Sequence, residues 1–222
     1  MTARGRADLA LLAVTAVWGA TFVMVKDAVA LVPPMTFNAL RCVLAAAVLV
    51  AIGWRRLAAL DRRLVVAAVG IGLALCAGYV LQVYGLQTTT PARAGFFTGV
   101  AVILVPFLNW PPRRGDVVAA AVALVGVALL STPTVRAGAP WTGLNGGDWL
   151  VLGCAVAFAL QIVLLGRIAP DADPVALAAV EVVVMAIVCA AAAPPAAPGG
   201  RVLGGLGHWT MVPASVWSAA AF

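Results

Sequence analysis

GYVLQVYGLQTTTPARAGFFTGVAVILVPFL, residues 78–108, sets two apolar, helix-length runs on either side of a short polar turn. In the first run Gly78, Gln82 and Gly85 share one helical stripe, because residues three and four apart stack on the same face. Small residues there let a second backbone come close. Gln82 carries a donor and an acceptor that hydrocarbon would leave unsatisfied, so it is expected to face protein or a wet cavity. After the turn at 88–91, Gly95, Thr98, Gly99 and Val102 repeat the pattern, and Pro106 removes a backbone donor. The expectation is a close-packed hairpin of two membrane helices with an interrupted second arm, a unit suited to a transport core.

Composition sets the class. With 64% hydrophobic residues, 10% charged residues and a mean hydropathy of +1.08, the chain lies far from a soluble domain. A net charge of +6 would in a soluble chain raise the question of nucleic acid, but here the arginines fall in short segments between apolar runs and read as topology signals. No nucleic-acid partner is expected; the lipid bilayer is. Cys42, Cys76, Cys154 and Cys189 lie in four different apolar runs without CxxC spacing, so neither a metal site nor a disulfide framework is expected.

The fold class follows as an all-α polytopic membrane protein. Spans are expected at 9–32, 35–54, 64–87, 92–110, 117–132, 149–168 and 175–193, each near the ~20 residues that cross a bilayer, with the fourth and fifth at the short end. A further apolar run at 209–222 is too short to span, giving seven full helices and a partial eighth. The segment before the first span lacks the features of a cleaved signal peptide. With the N-terminus cytoplasmic, Arg4, Arg6, Arg55, Arg56, Arg62, Arg63, Arg113, Arg114 and Arg167 lie inside, against Arg93, Arg136 and Arg201 outside. That bias fits the positive-inside rule and a multi-pass protein of the cytoplasmic membrane.

Five helices is an odd number, so a sixth that repeats the first must enter from the opposite side. A shift of 140 residues lays Asp8 on Asp148, Pro34 on Pro174, Ala39 on Ala179 and Val48 on Val188. The matched Asp and Pro carry most weight, because each falls at an equivalent helix boundary. This divides the chain into a first five-helix repeat at 1–132, a linker at 133–148 rich in Gly, Pro and Thr, and an incomplete second repeat at 149–222.

The stretch 78–108 resembles the third and fourth helices of the EamA-type members of the drug/metabolite transporter superfamily. WGATFVMVK (18–26) is similar to that family's first helix and GDWLVLGCAVAFALQIVLLGR (147–167) to its sixth. The resemblance implies ten helices in two inverted five-helix repeats, a substrate path between them, and export or uptake of small metabolites. Against that pattern the chain stops at what looks like the opening of an eighth helix, PASVWSAAAF, and NWPPRR compresses the end of the fourth. The expectation is a member truncated at the C-terminus.

Candidates for the path are Trp18, Thr21, Phe22, Arg41, Gln82, Thr98, Gln161 and Glu181. The 140-residue register places Arg41 opposite Glu181, each seven residues beyond its proline and thus roughly 10 Å into a core about 30 Å thick. An ion that deep on a lipid face costs about 2.5–3.5 kcal/mol on insertion scales, so both should turn inward. For Arg41 the competing reading is snorkelling to the headgroups. Glu181 could instead be protonated or paired with Arg167. Lys26 reads equally as an interfacial lysine or a substrate contact. Trp18, with Gly19 beside it to admit a ring against a neighbouring backbone, is either lining or packing. Gln161 falls opposite Thr21, a matched polar pair near mid-membrane, with interhelical hydrogen bonding at about 0.6 kcal/mol as the rival reading.

With one histidine, no G-x-S-x-G elbow and no Walker loop, the sequence offers no enzyme chemistry, cofactor or metal site. The function expected is secondary transport, export above all, of small metabolites or amino-acid-like solutes by alternating access, as a uniporter, an exchanger or an ion-coupled carrier, a proton couple through Glu181 being one hypothesis. The alternative is a non-transporting remnant or a helix-packing subunit that associates through Gly78 and Gly85, and a homo-oligomer is compatible with either.

Overall fold

The computed structural model describes residues 3–109, 114–136, 143–168, 172–194 and 214–221. These form helices α1 Ala3–Leu31, α2 Pro34–Leu57, α3 Arg62–Thr88, α4 Pro91–Leu108, α5 Arg114–Arg136, α6 Gly146–Ile168, α7 Pro174–Ala192 and α8 Ala214–Ala221, and no strand occurs among the described residues. Six of them, α1 to α4 with α6 and α7, are long and apolar enough to cross a membrane. The molecule is a multi-pass helical membrane protein.

Local chemistry marks the helix starts. Proline, whose fixed φ suits the first helical turn and whose missing N–H is not needed there, opens α2, α4 and α7. Asp61 accepts from Leu64 N at 2.7 Å, Thr90 from Arg93 N at 3.3 Å, and Asp173 from Val175 N and Ala176 N at 2.9 and 3.1 Å. Before α6, Asn145 and Asp148 close a reciprocal box: Asp148 N donates to Asn145 Oδ1 at 2.9 Å and Asn145 N donates to Asp148 Oδ2 at 2.8 Å. Several expected boundaries shift. α5 runs through Pro133 to Arg136 and α6 already begins at Gly146, so both ends of the expected linker are helical. Pro106 does not interrupt α4; it sits in the last turn, where one lost donor matters least.

The close-packed α3–α4 hairpin is not what forms. The most extensive packing is α3 on α6 and α2 on α7, and α4 also lies chiefly along α6. The glycine stripe explains it. A Cβ on Gly78 would collide with the ring of Phe158, and one on Gly85 would come within 2.8 Å of the Gly147 carbonyl and 2.6 Å of Val151, all on α6. Gly95 on α4, by contrast, has open space beside it. Small residues do bring backbones together here, but the partner is the sixth helix. Gly78 and Gly85 are thereby occupied within the chain, which removes them as faces for association with another subunit.

The ends fix the directions. Arg56 at the end of α2 pairs with Asp173 at the start of α7 at 3.3 Å, so these helices run antiparallel. At the opposite edge, the ends of α1 and α3 meet the starts of α4 and α6 through the bonds described below. Helix α6 therefore runs against α1. Leu9, Leu11, Leu12, Val14 and Val17 on α1 stay exposed, as suits a lipid-facing surface.

Candidate functional site

Thr21, Gln82, Thr98, Gln161 and Glu181 are all buried, so the inward turn expected of polar side chains in hydrocarbon is realised. They do not form one cluster. Gln82 Nε2 donates to Thr98 Oγ1 at 3.3 Å and approaches Cys154 Sγ at 3.9 Å, joining α3, α4 and α6. Gln161 Nε2 donates to Glu181 Oε2 at 3.0 Å, joining α6 and α7. Thr21 donates to the Trp18 carbonyl of its own helix at 2.6 Å. The matched pair Thr21 and Gln161 is thus satisfied separately, each by other groups.

Glu181 sits where α7 and α3 touch most closely, since a Cβ on Gly72 would lie 2.9 Å from Glu181 Cα. No cation among the described residues lies within ion-pair distance of its carboxylate, and Arg167 is exposed at the end of α6. Arg41 is equally without a carboxylate among the described residues. It is half-buried, with its guanidinium 5.1 Å from the centre of the Tyr79 ring, so it faces into the bundle onto α3 and the snorkelling reading gives way. Tyr79 meets Phe158 edge-on at 5.3 Å, and Phe158 meets Trp18 edge-on at 6.3 Å. One line of side chains, Arg41–Tyr79–Phe158–Trp18, therefore crosses from α2 through α3 and α6 to α1. Trp18 remains 40% exposed, and Gly19 beside it has no neighbour within 4 Å, so the ring packs on Phe158 and not on a backbone at Gly19. Phe22 instead joins the apolar core around Val25, Val29 and Phe97.

Sequence reasoning missed Tyr79 and Phe158. For Phe158 the signal was present, because the register that pairs Thr21 with Gln161 also pairs Trp18 with Phe158. Asn38 was missed as well. It lies three residues before Arg41 on the same stripe of α2 and is fully buried, and neither its amide atoms nor Thr36 Oγ1 close by has a hydrogen-bond partner among the described residues. A buried amide left without a hydrogen bond costs about 1–3 kcal/mol, which sets Asn38 apart from the satisfied amides Gln82 and Gln161. The cysteines too come closer than their spacing suggests. Cys42, Cys76 and Cys189, from α2, α3 and α7, share one buried cluster, and all four cysteines are free thiols.

A second polar group stands at the edge where α3 ends and α6 begins. Asp148, wholly buried, accepts from the Thr89 hydroxyl at 2.5 Å and pairs with Arg93, whose guanidinium also donates to the Gly143 carbonyl at 2.7 Å. Asn145 adds a bond to the Thr88 carbonyl at 3.2 Å. Lys26 resolves here: its ammonium donates to the carbonyls of Leu86, Gln87 and Thr89 at 2.5, 3.1 and 3.0 Å. It closes the C-terminus of α3, where orphan carbonyls and the helix dipole both favour a cation. That is a structural task, distinct from contact with a substrate.

Comparison with known proteins agrees with this architecture. Residues 5–132 match the model of the EamA-like transporter family. An uncharacterized transporter of Archaeoglobus fulgidus is 32% identical over 179 residues, covering 78% of this chain and 53% of the relative. The chain thus spans about half the length of the curated relative it matches. No solved structure matches it.

Proposed function

From the premise that this chain belongs to the EamA-like transporter family, we propose that it carries small metabolites or amino-acid-like solutes outward across the cytoplasmic membrane by alternating access between inverted repeats. The observation that carries the reading is the contact between Trp18 and Phe158. They are equivalent positions of the two halves, and equivalent positions touch only near the axis that relates those halves. Helix packing supports it. α3 lies on α6 and α7 while α8 lies on α1 and α2, the pattern that exchange of the halves requires, and α2 on α7 pairs equivalents directly. In this reading seven helices and the beginning of an eighth belong to the bundle, and the N-terminus is cytoplasmic because that places most loop arginines inside.

The path runs between the halves past Trp18, Tyr79 and Phe158, with Arg41 and Asn38 toward one face and Gln161 and Glu181 toward the other. Arg41 and Glu181 are each held by neutral partners, so each is open to the opposite charge of a solute, and Glu181 can carry the coupling proton. The test is flux in vesicles over a panel of amino-acid-like solutes at several pH values, with Glu181→Gln beside the unaltered chain. The proposal requires solute movement that follows a proton gradient and loses its pH dependence in the variant. Equal pH profiles would remove the proton couple, and no movement of any solute would remove the transporter reading for this chain.

A further inference from the structure

On the outside of the bundle, α2 and α7 leave a groove of about 470 Å³ lined by Val43, Ala46, Val50 and Ala51 on one wall and by Ala186 and Ile187 on the other. Its walls are apolar and it opens sideways. The α2 wall is a stripe of helical spacing, 43, 46, 47, 50 and 51, and the next residue on that stripe is Trp54. Trp54 is 61% exposed, and the guanidinium of Arg55 lies over its ring at 5.1 Å from the centroid. Stacking holds the Arg55 guanidinium against Trp54, about one turn beyond Ala51, the last lining residue of α2 toward that end. Arg56, next to it, is held by Asp173. For Arg55 no carboxylate among the described residues lies within ion-pair distance.

The distances suit one kind of occupant. The lining on α2 runs from Val43 to Ala51, eight residues or roughly 12 Å at 1.5 Å each, so the groove begins about one turn below Trp54 and Arg55 and reaches about the middle of a ~30 Å hydrocarbon core. A cation and an indole toward the interface, above an open apolar groove that reaches about the midplane, match an anionic headgroup with an acyl chain beneath it. We propose that the α2–α7 groove is a binding site for an anionic phospholipid of the leaflet that meets the basic ends of α2 and α3, with its phosphate on Arg55 and an acyl chain between α2 and α7. Since α2 and α7 are the helices that pair across the two halves, a lipid wedged there would bear on their movement. The site itself rests only on the chain being membrane-embedded, independently of transport.

Native mass spectrometry of the full chain, released from detergent containing equal amounts of dioleoylphosphatidylglycerol and dioleoylphosphatidylcholine, reads the preference directly. Retention of phosphatidylglycerol is expected to exceed that of phosphatidylcholine by about fivefold, the weight of one interfacial arginine. Arg55→Gln, an exposed change with little bearing on folding, should bring the ratio near one. Ala47→Trp, which fills the groove, should lower retention of both lipids. An equal ratio in the unaltered chain, or a ratio untouched by Arg55→Gln, would overturn the proposal. So would a two-chain species that Ala47→Trp abolishes, since a second copy would then be the occupant.

Discussion

The edge where α3 ends and the middle of the bundle both hold buried polar groups, yet they treat them in opposite ways. At the edge, Asp148 gathers a hydroxyl, a guanidinium and a backbone N–H, and Lys26 gathers three carbonyls. In the middle, among the described residues, Arg41 rests on a ring face, Glu181 takes a bond from the Gln161 amide, and Asn38 finds no hydrogen-bond partner. A completed network ties elements into one position, because any movement leaves a buried group unmet. An incomplete one tolerates movement and leaves valences for water, a proton or a solute. In the proposed transport reading the edge is a fixed joint and the middle the working region.

Breaking the joint should produce the largest effect. Asp148→Ala takes the carboxylate from the Arg93 guanidinium, the Thr89 hydroxyl and the Asn145 N–H at once, and a loss of about 3–5 kcal/mol is expected, the usual cost of breaking a buried pair from one side. Unfolding in mixed micelles, followed by circular dichroism, would measure it; a loss below about 1 kcal/mol, the level of an exposed pair, would mean the joint is not buried in solution.

The same comparison predicts the reverse sign in the middle. Asn38→Leu replaces an unmet amide by an apolar side chain of similar shape, so stability should hold or rise by about 1 kcal/mol. Flux should fall, because stability and a poised site are exchanged. A variant that is clearly destabilised would show that Asn38 already has partners in the membrane.

The smallest effect belongs to Asp173, which lies outside the membrane-spanning segments. Its carboxyl is held below the ordinary range, first by the Ala176 N–H, then, against the opposing effect of burial, by Arg56 and the Val175 N–H. A depressed folded-state pKa adds stability above the unfolded-state value, and that stability is lost as pH falls through the depressed one. Asp173→Asn should therefore narrow the difference in melting temperature between neutral and acidic pH by a degree or two, since a group this exposed contributes little.

Much of this was legible from residues 78–108 and the 140-residue register. The all-helical class and the order of the helices follow from apolar length, although six spans qualify among the described residues where seven were expected, and burial of Gln82, Thr98, Gln161 and Glu181 follows from the solvent being hydrocarbon. What the sequence withheld is partner choice. Gly78 and Gly85 announce a close neighbour without saying which, and a hairpin partner is only the nearest along the chain; the structure supplies α6. Arg93 reads as a loop charge until the start of α6 brings Asp148 to it from 55 residues away. Asn38 was visible as a lone amide in an apolar helix, but only the fold reveals that no described residue bonds it.

The central claim is that water reaches the middle of the bundle between two oppositely directed halves. Its most direct measurement is thiol accessibility in a background where Cys42, Cys76, Cys154 and Cys189 are replaced by alanine, with Thr21→Cys or Gln161→Cys added singly. A membrane-impermeant thiol reagent should label both positions in intact vesicles, at rates that change when a transported solute is present. Labelling of neither, while a lipid-soluble maleimide modifies both, would contradict the account.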